Sequence, residues 1–318
     1  MRATVKKPVR LRDFIEDVDG RLYAVSTYDN RERVGCILRY IPDPSGTRQN
    51  REGVRFRKLE FDEAFTYIKR EKPEYSDIIQ RVPYTDIRRV LKPEDEIGAV
   101  IRRNPLVQRL SSLFGLPART YGCTGSLLCG LESEESDIDF VVYGRVFFHA
   151  RELLRYAINR GRLQPISDDL WDYIYRKRNP EISFDEFILH EKRKWNRGQI
   201  DSVYFDILYA RSYKALNPLP CTRGRTCGLR TIEATVTDDS LSFDSPAVYR
   251  VDHEDISRVL SFSHTYCGQA LAGERIQAKG VCERHGSEQW LIIGTTRDAR
   301  GEYIRSLSLL EDLESSLP

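Results

Sequence analysis

Over residues 1–90 the apolar positions come in short alternating runs broken by turn residues, the period of half-buried strands. Runs at 14–18 and 21–28 flank Asp19-Gly20, a hairpin signal, and Asp29-Asn30 precedes a third run at 34–41. A run at 53–59 then leads to a helix over 62–70, with Phe61, Ala64, Phe65 and Ile68 at helical spacing. From about Lys92 helix and strand periods alternate. Ile97, Val100 and Ile101 mark one helix that Pro105 ends near Asn104, and Asn104-Pro105 opens a second carrying Leu106, Val107, Leu110 and Leu113. The spacing then predicts a strand at 120–123, a helix at 126–131, a strand at 138–143 and a helix through Ala150, Leu153, Leu154 and Ala157. Helices over 168–176 and 184–195 follow, the second opened by Ser183 and Glu186 as a capping box, and a strand at 203–209 closes the region. From Thr231 strand texture returns at 232–236, 247–251, 259–263, 276–281 and 290–293, for which a small barrel or rolled sheet is the natural solution.

The class is therefore α+β. A core of mixed sheet and helices over 91–215 is flanked by a β-rich N-terminal region (1–90, with one helix) and a β-rich C-terminal domain (228–318).

The 318 residues suit more than one domain, and a mean hydropathy of −0.50 with 31% charged residues describes a strongly charged surface. The charges nearly cancel at +2, which gives no support to whole-molecule attraction to nucleic acid and leaves local basic patches as the candidates. No apolar run approaches the ~18 residues of a membrane span. The N-terminus is basic without an apolar core or cleavage signal, so a cytoplasmic protein is expected. Its seven cysteines follow no repeating frame and read as reduced thiols. A bridge between Cys221 and Cys227 stays open only for a cell that tolerates intracellular disulfides.

The chemistry concentrates between Gly122 and Tyr143. Cys123-Thr124-Gly125-Ser126 is a strand-to-helix turn in which glycine admits close approach of an anion. Ser126 either donates its hydroxyl to that anion or caps the helix. Asp137 and Asp139 follow at strand spacing and share a face. At about 6 Å they repel by roughly 3 kcal/mol at an effective dielectric near 20. A divalent cation converts that repulsion into binding, and hard oxygen ligands suit Mg²⁺ or Mn²⁺. Phosphate beside paired carboxylates points to metal-assisted phosphoryl or nucleotidyl transfer. Such chemistry wants a third acid. Asp206, alone in the apolar run 203–208, is favoured over Asp201, which sits at the strand edge beside Ser202.

These residues resemble the DNA polymerase β nucleotidyltransferase superfamily, through Gly125-Ser126 followed by Ser136-Asp137-Ile138-Asp139-Phe140. More narrowly, Gly125-Ser126-Leu127-Leu128-Cys129-Gly130-Leu131 and Val142-Tyr143-Gly144 are similar to a group of archaeal predicted nucleotidyltransferases whose core is flanked by β-rich regions. The minimal, antitoxin-type members carry an arginine where Cys129 stands here, which weakens kinship with them. The resemblance implies a catalytic set of Asp137, Asp139 and Asp206, all three as metal ligands. It also implies Mg²⁺ or Mn²⁺, a nucleoside triphosphate such as ATP as donor, and a hydroxyl acceptor, with RNA the first guess ahead of a protein or a small molecule.

For the phosphates, Gly125 and Ser126 are joined by Lys192 and Lys194, from a basic cluster with Arg193 and Arg197 at a helix end. A second basic stretch, 221–230, reads as a solvated linker or a phosphate contact. Glu132, Glu134 and Glu135 read as a solvated acidic turn. Tyr121, Tyr143 and Trp195 read as packing, with base stacking as the lesser reading. The histidines show no metal-ligand spacing. The competing function class is a non-catalytic nucleotide- or RNA-binding module on the same fold.

Overall fold

Asp19-Gly20 does join two strands. Strands β1 (Phe14–Asp17) and β2 (Leu22–Val25) pair antiparallel around it, with Gly20 N–H donating to the Asp17 carbonyl at 3.0 Å. The chain continues through β3 (Arg33–Pro42), β4 (Arg48–Gln49), β5 (Arg55–Lys58), α1 (Phe61–Glu71), β6 (Gln80–Pro83) and β7 (Ile87–Leu91). The order across this sheet is β4-β5-β3-β2-β1-β7, with β6 also on β3. The sequence pattern misses β6 and β7. In β7, Arg88 and Arg89 take exposed positions and pair with Glu16 at 3.2 and 2.9 Å, so charge masks the strand period. One core joins Ile15, Tyr23, Val25 and Leu38 to Ala64 and Ile68 of α1. Another joins Phe14, Leu22, Tyr40 and Phe56 to Leu128 and Leu131. Each such side chain contributes about 1.5–3 kcal/mol on burial.

These coordinates are a computed structural model, and the structure describes residues 7–216, 224–294 and 301–315. After β7 come α2 (Pro93–Arg103), α3 (Pro105–Phe114), β8 (Tyr121–Cys123), α4 (Gly125–Cys129), β9 (Ile138–Tyr143) and α5 (Val146–Asn159). Asn104 caps α3, its Oδ1 accepting from the N–H groups of Leu106 and Val107 at 3.0 Å each. Next are α6 (Asp168–Arg178), α7 (Phe184–Lys194), β10 (Arg197–Ile200) and β11 (Val203–Ala210). The second sheet runs β10-β11-β9-β8, with β9 and β11 parallel. Phe114 of α3 and Phe147 of α5 cover one face, against Phe140 and Tyr209 at 5.5 and 5.4 Å between ring centroids. Val141, Tyr143, Leu208 and Ala210 form the opposite face, and Asp139 and Asp206 continue its alternation.

A buried polar network ties the N-terminal segment to this second sheet. The Arg10 guanidinium lies between the rings of Tyr143 and Tyr213, at 3.5 and 4.0 Å from their centroids, and pairs with Glu94 at 2.9 Å. It also donates to the carbonyl of Arg211 at 3.1 Å. Burial alone would raise the Glu94 carboxyl. The charge of Arg10 and the hydroxyls of Tyr213 and Tyr143 outweigh it and hold Glu94 at about 2. Tyr143 is thus committed to packing.

The chain forms two compact units. The first takes in the residues up to Gln164 and the segment beginning at Asn196, and the second takes in Pro165–Trp195 and the C-terminal part. Helices α6 and α7, placed in the core on sequence grounds, therefore belong with the C-terminal strands. Those are β12 (Arg225–Leu241), β13 (Ala247–Asp252), β14 (Ile256–Ser261), β15 (Arg275–His285), β16 (Glu288–Ile293) and β17 (Tyr303–Ser306), followed by α8 (Leu307–Ser315). Strand β12 shifts register at Val236–Asp238 and Asp238–Leu241 and pairs with both β13 and β15. The circuit β12-β13-β14-β16-β15 thereby closes on itself as a barrel, with β14 and β16 parallel and β17 added to β15. The basic stretch expected as a loop is strand from Arg225 onward, with Arg230 paired to Asp255 at 3.1 Å. Arg223 and Cys221 lie outside the described residues, and Cys227 is a free thiol. Ser183 and Glu186 form the expected capping box on α7.

Candidate functional site

The turn after β8 runs directly against Asp139. Gly125 has φ +65°, and a Cβ there would overlap Asp139 Oδ2, so backbone conformation and space both demand glycine. Thr124 fixes the turn from two sides. Its N–H donates to the Asp139 carbonyl at 2.9 Å, and its hydroxyl donates to the Arg12 carbonyl at 2.7 Å. Thr124 also occupies the cap position of α4, so Ser126 is not the cap and lies in the first turn, lining the cleft.

That cleft encloses about 240 Å³, and Gly125, Ser126, Asp137 and Asp139 share its wall. Asp137 is exposed just before β9, and Asp139 is half-buried at the strand's start. Arg48 secures the loop that carries them, donating from Nη1 to Ser136 Oγ at 3.0 Å and to the Leu131 carbonyl at 3.3 Å. Of the acidic turn, Glu135 lines the cleft while Glu132 pairs with Arg103 at 2.8 Å.

Asp206 faces Asp139 directly across the parallel ladder, and neighbouring strands lie ~4.8 Å apart, so the two carboxylates stand side by side. On its other flank Asp206 pairs with Arg197 of β10, whose Nε donates to Oδ1 at 2.7 Å. Asp201 lies elsewhere: it and Ser202, at φ 48° and 66°, make the two-residue turn between β10 and β11. Burial foremost, then the charge of Asp206, pushes Asp139 up to about 6; Asp137 adds to the rise, and Arg12 and Arg39 oppose it.

A carboxyl raised in this way is what a hard dication would reverse. Among the described residues no three His, Cys, Asp or Glu side chains gather closely enough to form a complete cage. The carboxylate oxygens of Asp137 and Asp139 are the hard donors that suit Mg²⁺ or Mn²⁺, ions that commonly take one or two carboxylates with phosphate oxygens and water.

The cations of the cleft are Arg12, Arg39, Arg48 and Lys58, from the segment before β1 and from β3, β4 and β5. No local motif announces them, and only the tertiary fold brings them to the carboxylates. The two lysines expected from sequence are not in this wall. Lys194 is buried in the second unit, its Nζ donating to Glu191 Oε1 at 2.6 Å and to the Thr265 carbonyl at 2.7 Å, a structural role. Lys192 is exposed on α7, and Arg193 pairs with Glu274 at 2.8 Å. The sequence-level basic cluster thus disperses among separate partners. Tyr121 stacks on Phe140 at 5.2 Å.

A family model for a nucleotidyltransferase domain matches residues 105–196. An uncharacterized protein of the archaeon Methanocaldococcus jannaschii is 34% identical over 93% of this chain and 98% of its own length. No solved structure matches at a significant level. Asp206 and all the cleft cations lie outside the matched segment. Among the described residues no helix is long and apolar enough to cross a membrane.

Proposed function

Since this chain belongs to the archaeal-type nucleotidyltransferase family, we propose that its first unit transfers a nucleoside monophosphate from a nucleoside triphosphate to a hydroxyl acceptor, with RNA the first acceptor to test. One observation carries the reading: Asp137 and Asp139 line one cleft with Gly125 set against the Asp139 carboxylate, and Asp206 stands beside it. Asp137 and Asp139, with Asp206 alongside, would hold Mg²⁺ or Mn²⁺, which when bound neutralises charge on the phosphates. The Gly125-Ser126 turn brings backbone and a hydroxyl to the phosphate. Arg197 orients Asp206 through Oδ1, leaving Oδ2 to take the acceptor's proton. The new bond joins the acceptor oxygen to the α-phosphorus, and the α–β bridge breaks to release pyrophosphate.

The same Arg197–Asp206 pair favours one alternative, a nucleotide- or RNA-binding module without turnover, because it engages the third acid with a partner inside the protein. Labelled triphosphates with Mg²⁺ or Mn²⁺ and a panel of RNA, protein and small-molecule acceptors separate the two. Transfer that Asp137→Asn or Asp139→Asn lowers by at least about a hundredfold supports the enzyme. Nucleotide binding without transfer to any acceptor supports the module.

A further inference from the structure

The cleft's positive side is built entirely by the N-terminal sheet and the segment leading into it. Arg48 is already engaged with Ser136 and Leu131 and acts as a positioning residue for the acidic loop. Arg12 is different. Its backbone sits at φ 76°, a conformation that costs a non-glycine residue of order 1–2 kcal/mol. Its Nε is buried without a hydrogen-bond partner among the described residues, and leaving a donor in that state costs ~1–3 kcal/mol. Strain and a desolvated donor therefore coincide at one cleft residue. The Thr124 hydroxyl holds that residue's carbonyl, so the Gly125-Ser126 turn and the Arg12 backbone are fixed together. Arg39 from β3 and Lys58 from β5 line the same wall. Both Arg12 and Arg39 act on the charge of Asp139, which places them within electrostatic reach of whatever the carboxylates and the turn hold.

We propose that Arg12, Arg39 and Lys58 form the seat for the pyrophosphate part of a nucleoside triphosphate, with Arg48 positioning the loop opposite. This rests on the nucleotidyl-transfer reading for the location of the α-phosphate, beside Asp137, Asp139 and the Gly125-Ser126 turn. The β- and γ-phosphates then extend toward the cationic wall, where planar guanidinium groups match phosphate oxygens two at a time and the lysine adds a point charge.

The test is calorimetric titration of the full chain with inorganic tripolyphosphate, which carries neither base nor ribose. Arg39→Gln and Lys58→Gln are each expected to weaken binding about tenfold or more, with Arg39→Lys retaining part of it. Arg31→Gln, on an 80% exposed side chain that is not part of the cleft lining, is expected to leave binding unchanged. Thermal unfolding of every variant shows that it is folded, and Arg39 and Lys58 carry the test if Arg12→Gln does not fold. Tripolyphosphate binding within twofold of the parent in both Arg39→Gln and Lys58→Gln overturns the seat. So does a loss confined to RNA binding, which would reassign the wall to the acceptor. If no acceptor is ever modified but tripolyphosphate binding falls as expected, the seat stands and the transfer reading fails. If transfer proceeds with KM for the triphosphate unchanged in both variants, transfer stands and the seat fails.

Discussion

Gly125 carries two constraints at one atom, and they separate on substitution. An alanine there must leave the left-handed region or push Asp139 aside. Gly125→Ala is expected to lower stability by only about 1–2 kcal/mol while triphosphate affinity falls at least about tenfold, read by thermal unfolding and by titration. Arg197 makes the opposite case, where removal is felt mainly in stability. Both it and Asp206 are largely buried, at 3% and 13% side-chain exposure. Arg197→Met leaves Asp206 beside Asp139 without its counter-ion and is expected to cost about 3 kcal/mol in urea unfolding. Adding Asp206→Asn should recover much of that, as a double-mutant cycle will show. At this scale the sequence was partly legible. A lone acid in an apolar strand marks Asp206, and a glycine ahead of paired aspartates marks Gly125. Nothing local marks Arg12 or Arg39, whose common partner Asp139 lies a hundred positions or more along the chain. Lys194 misleads because a basic run at a helix end satisfies the dipole whether or not one member turns inward.

Helix α7 shows how an element well read from sequence can hide its most consequential residue. Its capping box is plain in Ser183 and Glu186, yet His190 carries no spacing signal and is fully buried. The Ser306 N–H donates to His190 Nε2 at 3.0 Å, so Nε2 must accept and Nδ1 carries the proton toward the Glu186 carbonyl, 2.6 Å away. Burial foremost, aided by Lys194 and Arg193, lowers the imidazole to about 4 from its usual 6.5, against the Glu186 carbonyl and carboxylate. Above pH 6.5 folded and unfolded states are both neutral and this contribution is whole. Between about 6.5 and 4 only the unfolded chain takes up the proton, so stability falls as pH falls, by up to about 3 kcal/mol. Urea midpoints of the second unit at pH 7, 5.5 and 4.5 should show this fall, and His190→Leu should flatten it. The elements themselves were legible wherever period and caps agreed, as at α3 and β9. Strands β6 and β7 were lost because surface arginines interrupt the alternation, and β12 was read only over 232–236 because the basic residues of its first part imitate a linker.

All three tryptophans, Trp171, Trp195 and Trp290, fall in the second unit, while the candidate cleft is lined only by residues of the first. Tryptophan fluorescence therefore reports the second unit alone, whereas far-UV circular dichroism sums the backbone of both. A saturating triphosphate is expected to shift upward by several degrees only the part of the dichroism change that does not coincide with the tryptophan transition, and to leave the tryptophan transition in place. Equal shifts in both would show that the units unfold as one. The closed barrel was legible only as one of two solutions, because closure depends on β12 changing partners midway along its length. The pairing of Arg10 with the carbonyl of Arg211 has a further consequence, in time. These residues are 201 positions apart. At 5–20 residues per second, ribosomal synthesis separates them by about 10–40 s. Through that interval the segment leading to the N-terminal sheet waits for its last anchor, with the whole α6–α7 excursion emerging in between. A nascent chain arrested before residue 211 should hold its cationic wall only through the Thr124 and Arg48 contacts, with the Arg10 anchor still missing.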